Sequence, residues 1–285
     1  GDGKPEPDLR QWLDLVALGT VCDVVPLTGV NRALVRQGLQ VMRQRRNAGL
    51  AALADVARLR EEPGAYHLGF MLGPRVNAGG RVGQADLGAR LLASDDTDEV
   101  GALALRLDEF NAERRAIERE VLDQAIARIE GLYGPDRKAM PSVLLVESEG
   151  WHVGVIGIVA SRLVERYGRP AFVIGMDGEL GKGSGRSVRG VDLGAAVIAA
   201  RQEGLLVNGG GHAMAAGLTV ARIALPDLAK FLDDRIAPQL GAAPAVRELG
   251  IDAVNYGPEI APALIRARLP EAVIQRCIQG ACLFQ

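Results

Sequence analysis

Cysteine is almost missing from this chain: three in 285 residues, at 22, 277 and 282, without the paired spacing of a metal site or a disulfide framework. That excludes a disulfide-stapled secreted miniprotein and fits a reducing cytoplasm. Aromatic residues make up only 4%, so extensive stacking of nucleobases on Phe, Tyr or Trp is not expected. Histidine occurs three times, at 67, 152 and 212, and no two are adjacent. No run of about 18 apolar residues is present, so no membrane-spanning helix is expected. Charge of one sign is also missing: 33 Lys and Arg against 35 Asp and Glu leave a net charge of −2. No global basic field announces nucleic acid, and any basic groove must be local.

What remains, 48% hydrophobic and 24% charged residues, is the mixture of an ordinary folded chain, not of a disordered tail or a fibre. The length admits two domains. The opening residues, Gly1 to Asp8, hold neither an initiator Met nor a signal-peptide pattern and read as the interior of a longer chain.

Residues 12–25, WLDLVALGTVCDVV, form an apolar run that embeds Asp14 and Asp23, expected as a helical turn leading into a buried strand or loop. Pro26, Gly29 and Asn31 mark a turn, and helices are expected over 31–46 and 48–60, the second stopped by Pro63-Gly64. The glycine-rich stretch 69–83, GFMLGPRVNAGGRVG, reads as a loop. Helix resumes over 86–92. A long helix is then expected over 97–132, because Leu103, Leu107, Phe110, Ile117, Val121, Ala125 and Ile129 form one apolar stripe opposite a densely charged face. Asp96 or Thr97 suits its N-cap, and Gly131 and Gly134-Pro135 its end. Beyond it, strands over 142–146, 171–174, 182–188 and 216–220 alternate with helices over 154–166, 191–201 and 226–240, and a glycine-rich turn over 208–211.

Four places carry possible chemistry. Asp23, a carboxylate in an apolar run, needs compensation: a helix cap, an ion pair with Arg32 or Arg36, or a bound divalent cation. Arg75, Asn77 and Arg81 lie among glycines, which suits either a surface turn or a phosphate-holding loop. The stretch 181–187, GKGSGRS, fails the Walker A pattern, since Gly occupies 183 and Met occupies 176. Ser184 and Arg186, two apart on a strand, would share one face, either in a plain hairpin or as a grip on phosphate. Three glycines, 209–211, precede His212, where backbone N–H groups and an imidazole could meet an anion.

Taken in order, LDLVALGTVCDVVPL, LGPRVNAGGRVG, WHVGVIGIVASRLVERYGRPAFVIG, GKGSGRS and GGGHAMAAG resemble the rear part of the RecJ family, single-stranded-DNA-specific exonucleases of the DHH phosphoesterase superfamily. The resemblance implies an α/β fold: the C-terminal part of a DHH domain over 1–96, a connector helix over 97–134, and an α/β DHH-associated domain over 135–245. It implies 5′-to-3′ hydrolysis of single-stranded DNA to mononucleotides, in DNA repair and recombination, with Mn²⁺ or Mg²⁺ in a two-metal mechanism. It assigns Asp23 as metal ligand and catalytic residue and His212 as catalytic, with Arg75, Asn77, Arg81, Ser184, Arg186, Gly210, Gly211 and His212 at the substrate phosphates. A helicase or a single-stranded-DNA-binding protein would be a partner. The family's other metal ligands, including an Asp-His-His motif, have no match here, so this chain alone is expected to be inactive. After Gly250-Ile251-Asp252-Ala253 the resemblance stops, and 246–285 reads as an atypical tail with a frameshift or assembly break near 254. Two other readings fit the residues: an oligonucleotide or cyclic-dinucleotide phosphodiesterase of the same superfamily, and a non-catalytic nucleic-acid-binding module.

Overall fold

A computed structural model describes residues 8–134 and 139–240, and four of its α-helices start at a side-chain cap, Asn47, Asp96, His152 and Asp192. Helices α1 (Leu13–Cys22), α2 (Gly29–Arg43) and α3 (Ala48–Val56) lead the chain, α3 capped by Asn47 Oδ1 on Leu50 N at 2.8 Å. The short α4 (Ala65–His67) passes through a π-helical turn, Leu68–Leu72, directly into α5 (Gly73–Val82), and α6 (Leu87–Ala93) follows. Helix α7 (Thr97–Tyr133) starts at Asp96, whose carboxylate accepts from Asp98 N and Glu99 N. Its 37 residues extend about 55 Å. Then come β1 (Leu144–Glu149), α8 (Val153–Tyr167), β2 (Ala171–Asp177), β3 (Leu180–Arg186), α9 (Leu193–Gln202), β4 (Asn208–His212), β5 (Ala215–Ala221) and α10 (Leu225–Leu240).

The sheet order is β1-β2-β3-β5-β4, with β1 and β2 parallel across the α8 crossover and the other pairs antiparallel. Three apolar clusters hold these elements. Leu18, Leu53, Leu72, Leu91, Leu107 and Phe110 join the leading helices to the first half of α7. The second half of α7, through Val121, Ala125 and Ile129, packs with Val155, Val159 and Leu163 of α8 and Val173 of β2. On the other sheet face, Phe172, Ile174 and Met176 meet α9 and α10 through Val197, Leu228 and Leu232. The stripe expected on α7 is thus buried in two clusters, only Ile117 remaining half-buried.

Several expectations need correction. Residues 69–82 are helical, not a loop, and Gly83 caps the end of α5, because these glycines serve close packing. A Cβ at Gly79 would lie 2.5 Å from Gln84 O, and one at Gly83 would overlap the Phe110 ring. Pro74 sits in the first turn of α5, where no N–H is needed. Residues 208–212 pair with β5 as a strand instead of forming a turn. The run 12–25 is helix to Cys22 followed by a mostly exposed turn, not a buried strand or loop, and α3 ends at Val56, short of 60. The tail from 246, Gly250 to Ala253, the break near 254, Pro135, Cys277 and Cys282 lie outside the described residues. No described helix is long and apolar enough to cross a membrane.

Candidate phosphate-binding site

The glycines of β3 and its polar residues face opposite ways, because successive strand residues alternate sides. Gly181, Gly183 and Gly185 face the α9–α10 layer, where Met176, Ile174 and Phe172 of β2 fill the space their missing side chains leave. Ser184 and Arg186 face α8. The glycines of this stretch are therefore core packing, and the shared face expected for Ser184 and Arg186 is present. Arg186 Nη1 donates to Ser184 Oγ at 3.0 Å and to Gly185 O at 2.9 Å.

Strand register carries that face across the sheet. Arg186 pairs with Ala215, which pairs with His212; Ser184 pairs with Gly217, which pairs with Gly210. Arg186 and His212 therefore lie two strands apart on one side, about 10 Å, with only small residues between. Space over Gly210 is open, and a Cβ on Gly217 would meet nothing nearer than Gly183 O at 3.9 Å. Gly211 belongs to the row of Gly185 and Ala216 and faces the other way, so it is not part of this shelf as expected of it. His212 is exposed and its Nδ1 accepts from Met214 N at 3.3 Å, which orders the β4–β5 connection.

The wall of the shelf is α8. A Cβ on Gly157 would stand 3.0 Å from both Arg186 Nη2 and Ser184 Oγ. At the start of α8, His152 Nδ1 accepts from Gly154 N at 3.0 Å, and Arg81 Nη1, from the end of α5, donates to Gly154 O at 3.2 Å. Glycine at 154 and 157 is what lets α5 and β3 approach. Sequence reasoning passed over both, although two glycines three apart in a first helical turn mark one close-packed face.

Burial, and secondarily the Arg81 charge, pushes the Arg186 guanidinium below its usual range. Neither Arg81 nor Arg186 has a carboxylate partner among the described residues. A half-buried Arg186 beside an exposed Arg81, both without a carboxylate among the described residues and over an open small-residue floor, is chemically an anion site.

The other expected residues divide. Asn77 is exposed on α5, one turn before Arg81. Arg75 is committed elsewhere: its Nε holds Asp108 Oδ1 at 2.7 Å and its Nη1 holds Met71 O at 2.7 Å, tying α5 to α7. Asp23 ends α1 and is exposed, so the cost of burial inferred from its apolar neighbours does not apply to it. Cys22 abuts Gly73 at the start of α5, about 12 Å of helix from Arg81. Among the described residues no three His, Cys, Asp or Glu side chains gather to hold a metal ion. The residues present do not by themselves fit a two-metal site.

The carboxylate that is buried is Asp14, 2% exposed, whose Oδ1 accepts from Leu15 N at 2.8 Å. Burial raises its pKa. A raised folded-state pKa means the cost is absent while the group is protonated in both states. The cost grows as pH rises through the unfolded value near 3.8 and is complete above the folded one. Asp14→Asn, which keeps the acceptor, is expected to melt higher than wild type at neutral pH and to lose that advantage below about pH 4. Equal melting temperatures across the range would refute it.

Comparisons with known proteins follow the same lines. Residues 140–237 match the family model of the DHHA1 domain. The chain is 41% identical over 231 residues to the single-stranded-DNA-specific exonuclease RecJ of Bacillus subtilis, covering 79% of this chain and 28% of the relative. It is 40% identical over 264 residues to RecJ of Dickeya dadantii, covering 90% and 46%. The crystal structure of RecJ from Thermus thermophilus with Mg²⁺ superposes with a TM-score of 0.76 at 31% identity, covering 91% of this chain and 39% of that one; the Mn²⁺ form gives the same score. The chain spans less than half the length of these relatives.

Proposed function

The chain is RecJ-like and carries a DHHA1 domain over residues 140–237, and on that premise we propose that the protein hydrolyses single-stranded DNA, with the shelf of β3, β5 and β4 gripping a backbone phosphate. The observation that carries this is the face shared by Ser184 and Arg186, uncompensated in charge and joined through α8 to Arg81. Arg186 supplies two or more N–H donors in a fixed fork, Ser184 a hydroxyl, and Arg81 a second positive charge. The floor of Gly210 and Gly217 lets a sugar-phosphate backbone lie close, and none of these groups reads a base, so binding would be indifferent to sequence. His212 lies on the same face of the sheet, Asn77 stands one turn before Arg81 on α5, and Asp23 is the metal ligand proposed for this part of the chain. Mn²⁺ or Mg²⁺ is the proposed cofactor, supported by the metals in the crystal structures of the relatives. Mononucleotide release in the 5′-to-3′ direction, a cytoplasmic place in DNA repair and recombination, and a helicase or single-strand-binding partner extend the same proposal.

The test is release of mononucleotides from 5′-phosphorylated single-stranded DNA with Mn²⁺ by the protein carrying these residues. Release abolished by Asp23→Ala supports the reading. Salt-sensitive retention of DNA that never turns over would make this a binding module instead, and no retention at all would remove the phosphate grip.

A further inference from the structure

Towards either end of α7 an arginine is matched by a carboxylate: Arg106 by Glu109 at 2.7 Å, and Arg128 by Glu147 at 3.6 Å. Glu130 of the same helix holds Arg166 of α8 at 3.0 Å. In the middle of α7, where it meets α8 at Arg162, the balance fails. Arg114 Nη1 holds Glu118 Oε2 at 2.6 Å, and the other oxygen of Glu118 is shared with Arg162 Nε at 3.9 Å. Arg162 also pairs with Glu165 at 3.0 Å. Arg115 is exposed and has no carboxylate partner among the described residues.

Burial pushes the Arg114 pKa down, the Glu118 charge opposes that, and the nearby charges of Arg81, Arg115 and Arg162 push it down further; Arg81 acts on Arg186 likewise. Five guanidinium groups thus run from the shelf to the α7–α8 seam, against the carboxylates of Glu118 and Glu165. Arg114 Nε is buried with no hydrogen-bond partner. In a chain whose charges nearly cancel, 33 against 35, this is a local excess of positive charge beside a phosphate site, and it is the only direction in which the arginines of the shelf continue among these contacts.

We propose that the α7–α8 seam, through Arg115 and Arg162, binds the phosphodiester backbone of the same single strand further along from the phosphate held at Ser184 and Arg186. This rests on the proposed phosphate grip and extends it: the shelf would hold one phosphate, Arg81 would bridge, and the seam would add contacts that only a longer strand can reach. The contacts would be guanidinium to phosphate, without base preference.

Binding by the full chain to oligonucleotides of about 3 and about 16 nucleotides, at several salt concentrations, tests it with the variant Arg115→Ala/Arg162→Ala. The long strand should bind on the order of 3- to 30-fold more weakly. Its slope of log K against log salt should become shallower by about 1.4, at roughly 0.7 per lost phosphate contact. The short strand should be unaffected, and Arg115→Lys/Arg162→Lys should retain most of the long-strand affinity. If wild type binds both lengths and the alanine variant matches it in affinity and slope, the seam is overturned and the grip stands. If wild type binds neither, both fall together. A melting temperature equal to wild type separates lost contacts from a lost fold.

Discussion

Arg186→Leu is expected to lower affinity for single-stranded DNA by about 10- to 150-fold, the worth of hydrogen bonds to a charged group, while leaving the fold as stable as before or more so. The two effects have opposite signs for one reason. The guanidinium is half-buried, donates only to Ser184 Oγ and Gly185 O, and faces the charge of Arg81 with no carboxylate in reach among the described residues. Burial and like charge both disfavour its charged form. An anion removes that penalty on binding, so the strain serves the site at the expense of the fold. Leucine at 186 relieves the penalty and deletes the donors. Each kcal/mol relieved would raise the melting temperature by roughly 2–4 °C in a domain of this size. Arg186→Lys keeps the charge without the fork and should recover affinity only in part. A lowered melting temperature with unchanged DNA affinity would show Arg186 to be a structural residue and defeat the site.

Phe172→Ala should cost about 3–5 kcal/mol, seen as a melting temperature lower by roughly 6–20 °C. Phe172 is 0% exposed and its ring occupies the hollow over Gly185 on the neighbouring strand. The same contact predicts that Gly185→Ala is destabilising by about 1–3 kcal/mol or more, since the new Cβ would stand 2.7 Å from Phe172 Cδ1. The double variant should be more stable than the sum of the single losses, by a coupling of about 0.5–3 kcal/mol. Strict additivity would mean that the ring does not fill the glycine's place and that β3 is not packed as described.

Element type was legible wherever periodicity and capping agreed. Helix α7 could be read from its apolar stripe and from Asp96, and α8, α9, α10 and most strands from alternation and length. The five motifs pointed to the family in which the relatives also fall. Ser184 and Arg186 were legible as a pair because a strand puts residues two apart on one side.

Glycine was where reading by residue type broke down. The same residue marks a turn, a close approach of backbone, or a hollow for a neighbour's ring, and only packing distinguishes these. Gly79 sits in α5 against Gln84, Gly83 ends that helix against Phe110, and Gly181, Gly183 and Gly185 make room for β2. Asp14 and Asp23 shared one apolar run, and the path of α1 alone decided that the first is buried and the second exposed. Sequence by itself determined the repertoire of elements, the resemblance to RecJ and the polar pair on β3. Tertiary structure decided which glycines face the core, that Arg75 is tied to Asp108 while Arg81 reaches α8, and that arginines from α5, α7, α8 and β3 meet. Such meetings depend on contacts between residues far apart in the chain, and no local pattern encodes them.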